Sequence, residues 1–338
     1  MGNTPSILTT AELSGWSMGG IVPVDYSPLG EHKALVVRLE RSTDAEPIAA
    51  WLRRLVCPVI GLLDGLDDGL AGVDTELANA CDVLAVDEAE AVMLVGRAEA
   101  NPQAASTLVE LLRITENMPL ADALRVESLA YATLQTGSEY ADWLAALAVQ
   151  PPAPKEDGPA VLLERKAAVL DMVLNRPGNR NAMSVEMRDA LNEALQLVLS
   201  DESIETLRIA GRGKCFSTGG DLAEFGTVPN PATGHIVRGL TVPGSLLARC
   251  SDRVTVHVHG ACIGSGVEFP AFAGRITATN TAHFQLPEVG MGLIPGAGGC
   301  VSIARRMGRQ RCAWLALSGK RMKARQALEW GLIDEIVD

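Results

Sequence analysis

The chain has 338 residues and a formal net charge of −12; 47% of it is hydrophobic, 21% charged and only 4% aromatic. That length and composition can bury one large core or two smaller ones. The acidic balance and the few aromatic rings exclude a nucleic-acid scaffold or an anionic membrane surface as partner, though not a phosphate-bearing ligand held by a few local cations. Seven cysteines are scattered without CxxC spacing, so free thiols in a reducing, cytoplasmic compartment are expected. No run approaches the roughly 18 apolar residues of a membrane span, and the N-terminus lacks a basic-then-apolar signal.

Residues 1–32 are rich in turn formers and read as loosely ordered. Strands are predicted at Ala34–Leu39 and Cys57–Leu63, with a helix over Pro47–Leu55 between them. A short helix runs through Glu76 to Cys81, and strands follow at Val83–Val86 and Ala91–Val95. Residues 103–115, 119–136 and 138–148 have helical spacing. Pro151, Pro152, Pro154 and the polar run after them form a linker over 151–158. The chain therefore divides into 1–150, ending in a helical segment (102–149), and 159–338. In the second part, Ala160–Glu164 and Ala168–Leu174 read as a hairpin, Ser184 as an N-cap, and Leu207–Ala210 as a strand. A helix is expected over about 235–250, then a strand at Val254–Val258, helices at 300–307, 310–318 and 323–330, and a last strand at Ile333–Val337. The alternation indicates an α/β architecture.

The chemistry concentrates in 254–299. A strand leads into Gly264-Ser265-Gly266, Glu268 follows at once, and Glu288 stands 20 residues on, behind Pro287. The loop Phe216–Asp221 and the turn at Gly264–Gly266 can each offer a backbone N–H to an oxyanion. Taken singly, these are also ordinary strand-to-helix turns. Apolar neighbours would desolvate both glutamates and raise their pKa toward neutrality. By themselves they read equally well as a helix N-terminal Glu and a turn Glu. His257, His259 and His283 lack a third ligand at metal spacing, so packing or hydrogen bonding is expected and no metal. Arg305, Arg306, Arg309 and Arg311 form a basic cluster, read as a solvated face or as a contact for phosphates or a neighbouring subunit. A weak internal repeat relates WLRRLVCPVIGLLDG (51–65) to LLARCSDRVTVHVHG (246–260). The repeat does not extend to the chemistry: Gly96 stands 20 residues beyond Glu76, where the second copy has Glu288.

Four segments occur together in one order: LNRPGNRNAMS (174–184), FSTGGDLAEF (216–225), HGACIGSGVEFPAFAG (259–274) and QLPEVGMGLIPGAGG (285–299). This set, with 316–337 after it, resembles the crotonase (enoyl-CoA hydratase/isomerase) superfamily over about 160–338. The resemblance implies a crotonase-like ββα spiral with flanking helices, assembled as a trimer or hexamer. It also implies a coenzyme A thioester as substrate partner, with no permanently bound cofactor, and a place in fatty-acid metabolism. Gly220 and Ser265 match the oxyanion-hole positions, and Glu268 and Glu288 the acid/base pair. Asn181, Ala182, Met183, Ser217, Thr218, Asp221, Gly264, Pro295 and Gly296 match substrate-binding positions. The implied reaction is hydration of a 2-enoyl-CoA. Isomerisation, hydrolysis or decarboxylation through the same enolate, or acyl-CoA binding without catalysis, are the alternatives. Ser265 stands where the family often has Gly, and Ala273-Gly274 where Cys-Asp is frequent; the first part keeps Cys81-Asp82. The chain stops soon after Val337, where family members continue into helices, and 102–149 resembles that missing tail. The N-terminal part therefore reads as a degenerate crotonase half whose helices cover the site of the C-terminal part, within the chain or between subunits.

Overall fold

A computed structural model describes residues 6–19, 23–40, 45–63, 73–148 and 156–338. Most of the 151–158 linker lies outside the described residues. The first half begins with β1 (Ile7–Leu8) and α1 (Thr10–Gly19), so the opening segment is more regular than its turn formers suggest. β2 (Leu35–Arg38), α2 (Ala45–Leu52), β3 (Val59–Leu62), α3 (Thr75–Ala80) and β4 (Val83–Ala85) follow, and the four strands pair in parallel in the order β1-β2-β3-β4. Residues 91–95 belong to a helix, α4 (Glu88–Ala100), not a strand. The Asp87 carboxylate accepts from Glu90 N at 2.8 Å and caps it, and Ala91, Leu94, Val95 and Ala98 form its buried stripe. Three more helices complete this half: α5 (Pro102–Thr115), α6 (Leu120–Leu134) and α7 (Ser138–Ala146).

The second half opens with β5 (Val161–Lys166) and β6 (Val169–Leu174), an antiparallel hairpin. Ser184 caps α8 (Val185–Ser200), and β7 (Thr206–Gly211) follows. The helix expected over 235–250 is broken into α9 (Pro231–Thr241) and α10 (Pro243–Ala248). Pro243 has no N–H to continue the first helix but fits the first turn of the second. Then come β8 (Val254–Val258), β9 (Ala261–Ile263), α11 (Ser265–Glu268), β10 (Arg275–Thr279) and β11 (His283–Gln285). α12 (Gly299–Met307), α13 (Arg309–Ser318), β12 (Met322–Lys323), α14 (Ala324–Trp330) and β13 (Glu335–Val337) complete it. Six strands pair in the order β13-β10-β8-β7-β6-β5, and a smaller sheet runs β12-β11-β9. The chain thus passes twice from the large sheet to the small one and then into a helical turn. β9 and β11 pair in parallel with Ile263 opposite Gln285. Residues shortly after these two partners, Glu268 and Glu288, are carried to the same end of the small sheet.

The parallel order β1-β2-β3-β4 repeats that of β6-β7-β8-β10, with β3 at the repeat position of β8. One continuous core runs from Val36 and Ile60 through α4 and α5 into both sheets of the second half, and a second cluster fills the space between β1–β3 and α1–α3. The basic cluster is divided: Arg305 and Arg309 reach across to the first half, whereas Arg306 and Arg311 bond within the second, and Arg305 and Arg311 are exposed. Arg305 donates to Met118 O (2.6 Å), Arg309 to Cys81 O (3.0 Å) and Glu116 (3.2 Å), and Gln310 to Ala78 O (2.7 Å). Unpaired carbonyls at helix ends explain this use of cations. No described helix is long and apolar enough to cross a membrane.

Candidate active site

Two glycine loops lie side by side. Ser217 N donates to Ala261 O (3.2 Å) and Ile263 N to Ser217 O (3.1 Å), so 216–220 runs along β9 like a further strand. Asn181 locks this arrangement from below. It is fully buried at φ 51°, and its amide donates to Arg212 O (2.9 Å) and Phe216 O (3.0 Å) while its oxygen accepts from Arg176 N (2.9 Å). Ser217 Oγ donates to Asn181 O (2.7 Å), Thr218 N to Arg180 O (3.2 Å), and Met183 N to Gly219 O (2.7 Å). Buried Ala182 sits between these anchors. Asp221 accepts from Ala223 N (3.0 Å) and from Asn179 Nδ2 (2.9 Å). The side chains of Asn181, Ser217 and Asp221 are therefore committed to shaping the loop. Among the described residues, nothing accepts from Gly220 N–H or from Ser265 N–H. These two donors, on adjoining loops, are free for a ligand.

Glu268 is 2% exposed, and its Oε2 accepts from Ala297 N (2.8 Å) and Gly299 N (2.9 Å). Burial pushes its carboxyl up to about 7, against the pull of those two N–H groups. Glu288 lies across from it. Its Oε2 is buried without a partner, and burial followed by the neighbouring Glu268 charge raises it well above the usual carboxylate range. Its Oε1 occupies the space a side chain at Gly264 would need, and the Ser265 Oγ is likewise buried and unpartnered. Pro295 and Gly296 open the loop that reaches Glu268.

The N-terminal half closes the site. α6 presents Leu124, Glu127, Ser128 and Tyr131 along one face at helical spacing. A Cβ on Gly296 would lie 2.2 Å from the Tyr131 ring, so that ring is the ceiling over the loop. Glu127 is 2% exposed, and its Oε1 accepts from Gly298 N (2.7 Å) while its Oε2 is buried and unpartnered. Three successive N–H groups are thus held alternately by Glu268, Glu127 and Glu268. Burial, then the Glu268 charge, raises Glu127 well above the ordinary value. α7 adds Trp143, which meets Phe225 edge-on with ring centroids 5.5 Å apart. Helix α6 covers the glutamates within the same chain, one of the two arrangements the sequence left open. Glu127 was missed there, although a lone acid in the apolar stripe of α6 is the signal that marks it.

The carboxyl shifts set the sign of a stability effect. A carboxyl whose folded pKa is raised binds its proton more tightly when folded, so stability is greatest at low pH and falls as pH rises through the folded value. For Glu268, with a folded value of about 7, the loss falls mainly between pH 5 and 8 and amounts to about 3 kcal/mol. Thermal unfolding at pH 6 and pH 8.5 is expected to show a lower Tm at the higher pH, with a smaller drop in Glu268→Gln. An equal drop in both proteins removes Glu268 as the source.

A larger cavity of ≈ 930 Å³ lies at the joint between the halves, lined by Arg53, Glu90, Arg309, Arg311, Trp314 and Trp330 among others. It includes neither Glu268 nor Glu288.

A parallel-stranded spiral thus brings two free backbone N–H groups on adjoining loops beside a buried cluster of glutamates. The family model for enoyl-CoA hydratase/isomerase matches residues 164–338. The chain is 30% identical over 176 residues to 2,3-dehydroadipyl-CoA hydratase of Escherichia coli K12, spanning 52% of this chain and 68% of that one. It is 34% identical over 182 residues to 1,2-epoxyphenylacetyl-CoA isomerase of the same organism, spanning 53% and 70%. A solved enoyl-CoA hydratase/isomerase structure from Mycobacterium abscessus aligns with TM-score 0.50 at 29% identity, over 53% of this chain and 71% of that one. The chain belongs to the enoyl-CoA hydratase/isomerase family of the crotonase superfamily.

Proposed function

We propose that the protein hydrates a 2-enoyl-CoA to a 3-hydroxyacyl-CoA. The reading is carried by two buried glutamates in different surroundings beside two free backbone donors: Glu268 Oε2 accepts from two N–H groups, whereas Glu288 Oε2 has no partner. Glu268, whose ionised form is supported by two N–H groups, acts as base, and Glu288, desolvated and without a partner on Oε2, holds the proton. The thioester oxygen accepts from Gly220 N–H and Ser265 N–H. Glu268 takes a proton from water as the water oxygen bonds to C3, and the C2–C3 π pair moves into the thioester enolate. The enolate is stabilised by the two donors, and Glu288 then protonates C2. Proton exchange with water resets the pair. Coenzyme A enters and leaves as part of substrate and product.

Family resemblance supports assembly as a homotrimer or hexamer, and seven buried, unpaired cysteines fit a reducing cytoplasmic setting. The topological echo of β6-β7-β8-β10 in β1-β2-β3-β4 supports reading the N-terminal half as a degenerate copy that has kept its covering helices. Incubation with crotonyl-CoA and 2-hexenoyl-CoA is expected to give products heavier by one water, followed by mass spectrometry. Absence of hydration, with double-bond movement in 3-enoyl-CoA substrates instead, assigns the same enolate chemistry to isomerisation.

A further inference from the structure

Beside the glutamates a small cavity of ≈ 140 Å³ opens between α6 and α9–α10, lined in part by Glu127, Ser128, Arg238, Ser245, Gly296 and Gly298. Its wall is shared with the reaction centre, because Gly298 N is held by Glu127 while the N–H groups on either side are held by Glu268. Two polar groups in it are incompletely paired. Glu127 Oε2 is buried without a partner. The Arg238 guanidinium lies 4.4 Å over the Tyr131 ring, donates to Ser128 Oγ (3.2 Å) and makes only long contacts with Ser128 O (3.4 Å) and Gln135 Oε1 (3.5 Å). Among the described residues, no carboxylate forms an ion pair with it. A partly desolvated guanidinium that meets only neutral groups lacks the counter-charge that usually accompanies it, and its fork fits a carboxylate.

We infer that this pocket takes the distal end of the acyl chain and that this end is a carboxylate, received by Arg238 beside Glu127 Oε2. The inference rests on the hydratase reading of the neighbouring glutamates. Burial and then the Glu268 charge push the Glu127 carboxyl well above its ordinary value, which weakens its repulsion of an incoming carboxylate. A cavity of ≈ 140 Å³ holds about four or five groups of water size. It therefore receives only a short terminal segment, and the substrate is the 2-enoyl mono-CoA ester of a dicarboxylic acid.

The test compares kcat/KM for the 2-enoyl mono-CoA ester of the six-carbon dicarboxylic acid with that for 2-hexenoyl-CoA. The carboxylate substrate is expected to be preferred by about 10- to 100-fold, the worth of one charge-assisted contact. Arg238→Gln is expected to bring the ratio close to one. Glu127→Gln, which keeps an oxygen for Gly298 N and a neutral donor, is expected to retain the preference. Circular dichroism and Tm establish that each variant is folded. A second arm measures calorimetric binding of the saturated six-carbon mono-CoA ester and of hexanoyl-CoA. Tighter binding of the carboxylate, lost in Arg238→Gln, supports the pocket even if neither enoyl substrate is hydrated, an outcome that overturns only the hydratase reading. Equal binding of the two saturated ligands by the wild-type protein, or equal kcat/KM for the two enoyl substrates, overturns the inference.

Discussion

Glu288→Gln is expected to lower kcat for hydration of a 2-enoyl-CoA by about 10²- to 10⁴-fold, the range lost with a positioned general acid, while acyl-CoA binding changes little. The substitution keeps the shape of the side chain, so its seat beside Gly264 and the two oxyanion donors stay as they are. What it removes is the transferable proton. The Oε2 atom of Glu288 has no hydrogen-bond partner, so no neighbouring donor can hand a proton through it once the carboxyl is an amide. The loss therefore appears in kcat and kcat/KM together, the signature of an interaction made only in the transition state. Stopped-flow hydration and calorimetric binding of a saturated acyl-CoA measure the two halves of the prediction. Undiminished turnover in Glu288→Gln refutes this assignment and makes Glu127, the third raised carboxyl in the cluster, the proton donor to examine.

The C-terminal half was legible because its chemistry is local. Gly264 to Glu268 is one strand-to-helix turn, and the pairing of β9 with β11 carries Glu288 to the same end of the sheet. Asn181 and Ser217 were singled out as well, and their side-chain hydrogen bonds go to the backbone of the loops they hold. Glu127 stood out of reach for a different reason. It acts on Gly298, 171 positions away, and nothing in the α6 sequence states which surface its apolar stripe will meet. The basic run of α12 and α13 was ambiguous in the same way, since a cation that caps a distant helix reads like one that faces water. At 91–95 the apolar run fits either period, and Asp87 decides for a helix by capping it. Local pattern thus locates the elements and the first ring of the site, whereas the covering wall follows from packing between halves.

The other large effect is expected from one methyl group. Gly264 has φ 52° and ψ −125°, a backbone conformation that L residues rarely adopt, and an added Cβ would stand 2.6 Å from Glu288 Oε1. Gly264→Ala therefore carries two costs. Forcing a side chain onto positive φ costs about 1–2 kcal/mol, which lowers Tm by a few degrees. Relief of the contact must come either from Glu288, moving the acid off the reacting carbon, or from the turn, moving Ser265 N–H off the oxyanion. Either displacement, on the order of 1 Å, lowers kcat/KM by about 10²-fold. The matched comparison is Gly96→Ala at the exposed face of α4, where an added Cβ meets nothing within 4 Å and φ is not positive. There the same methyl group is expected to stabilise by about 0.5–1 kcal/mol and to leave turnover as it is. A fall in kcat/KM at Gly264 without a matching fall at Gly96 shows that the glycine is needed for the placement of Glu288 and the oxyanion donor. If Gly264→Ala loses Tm but keeps its kcat/KM, the turn bends without moving either group, and proximity of Glu288 to the oxyanion loop is not what sets the rate.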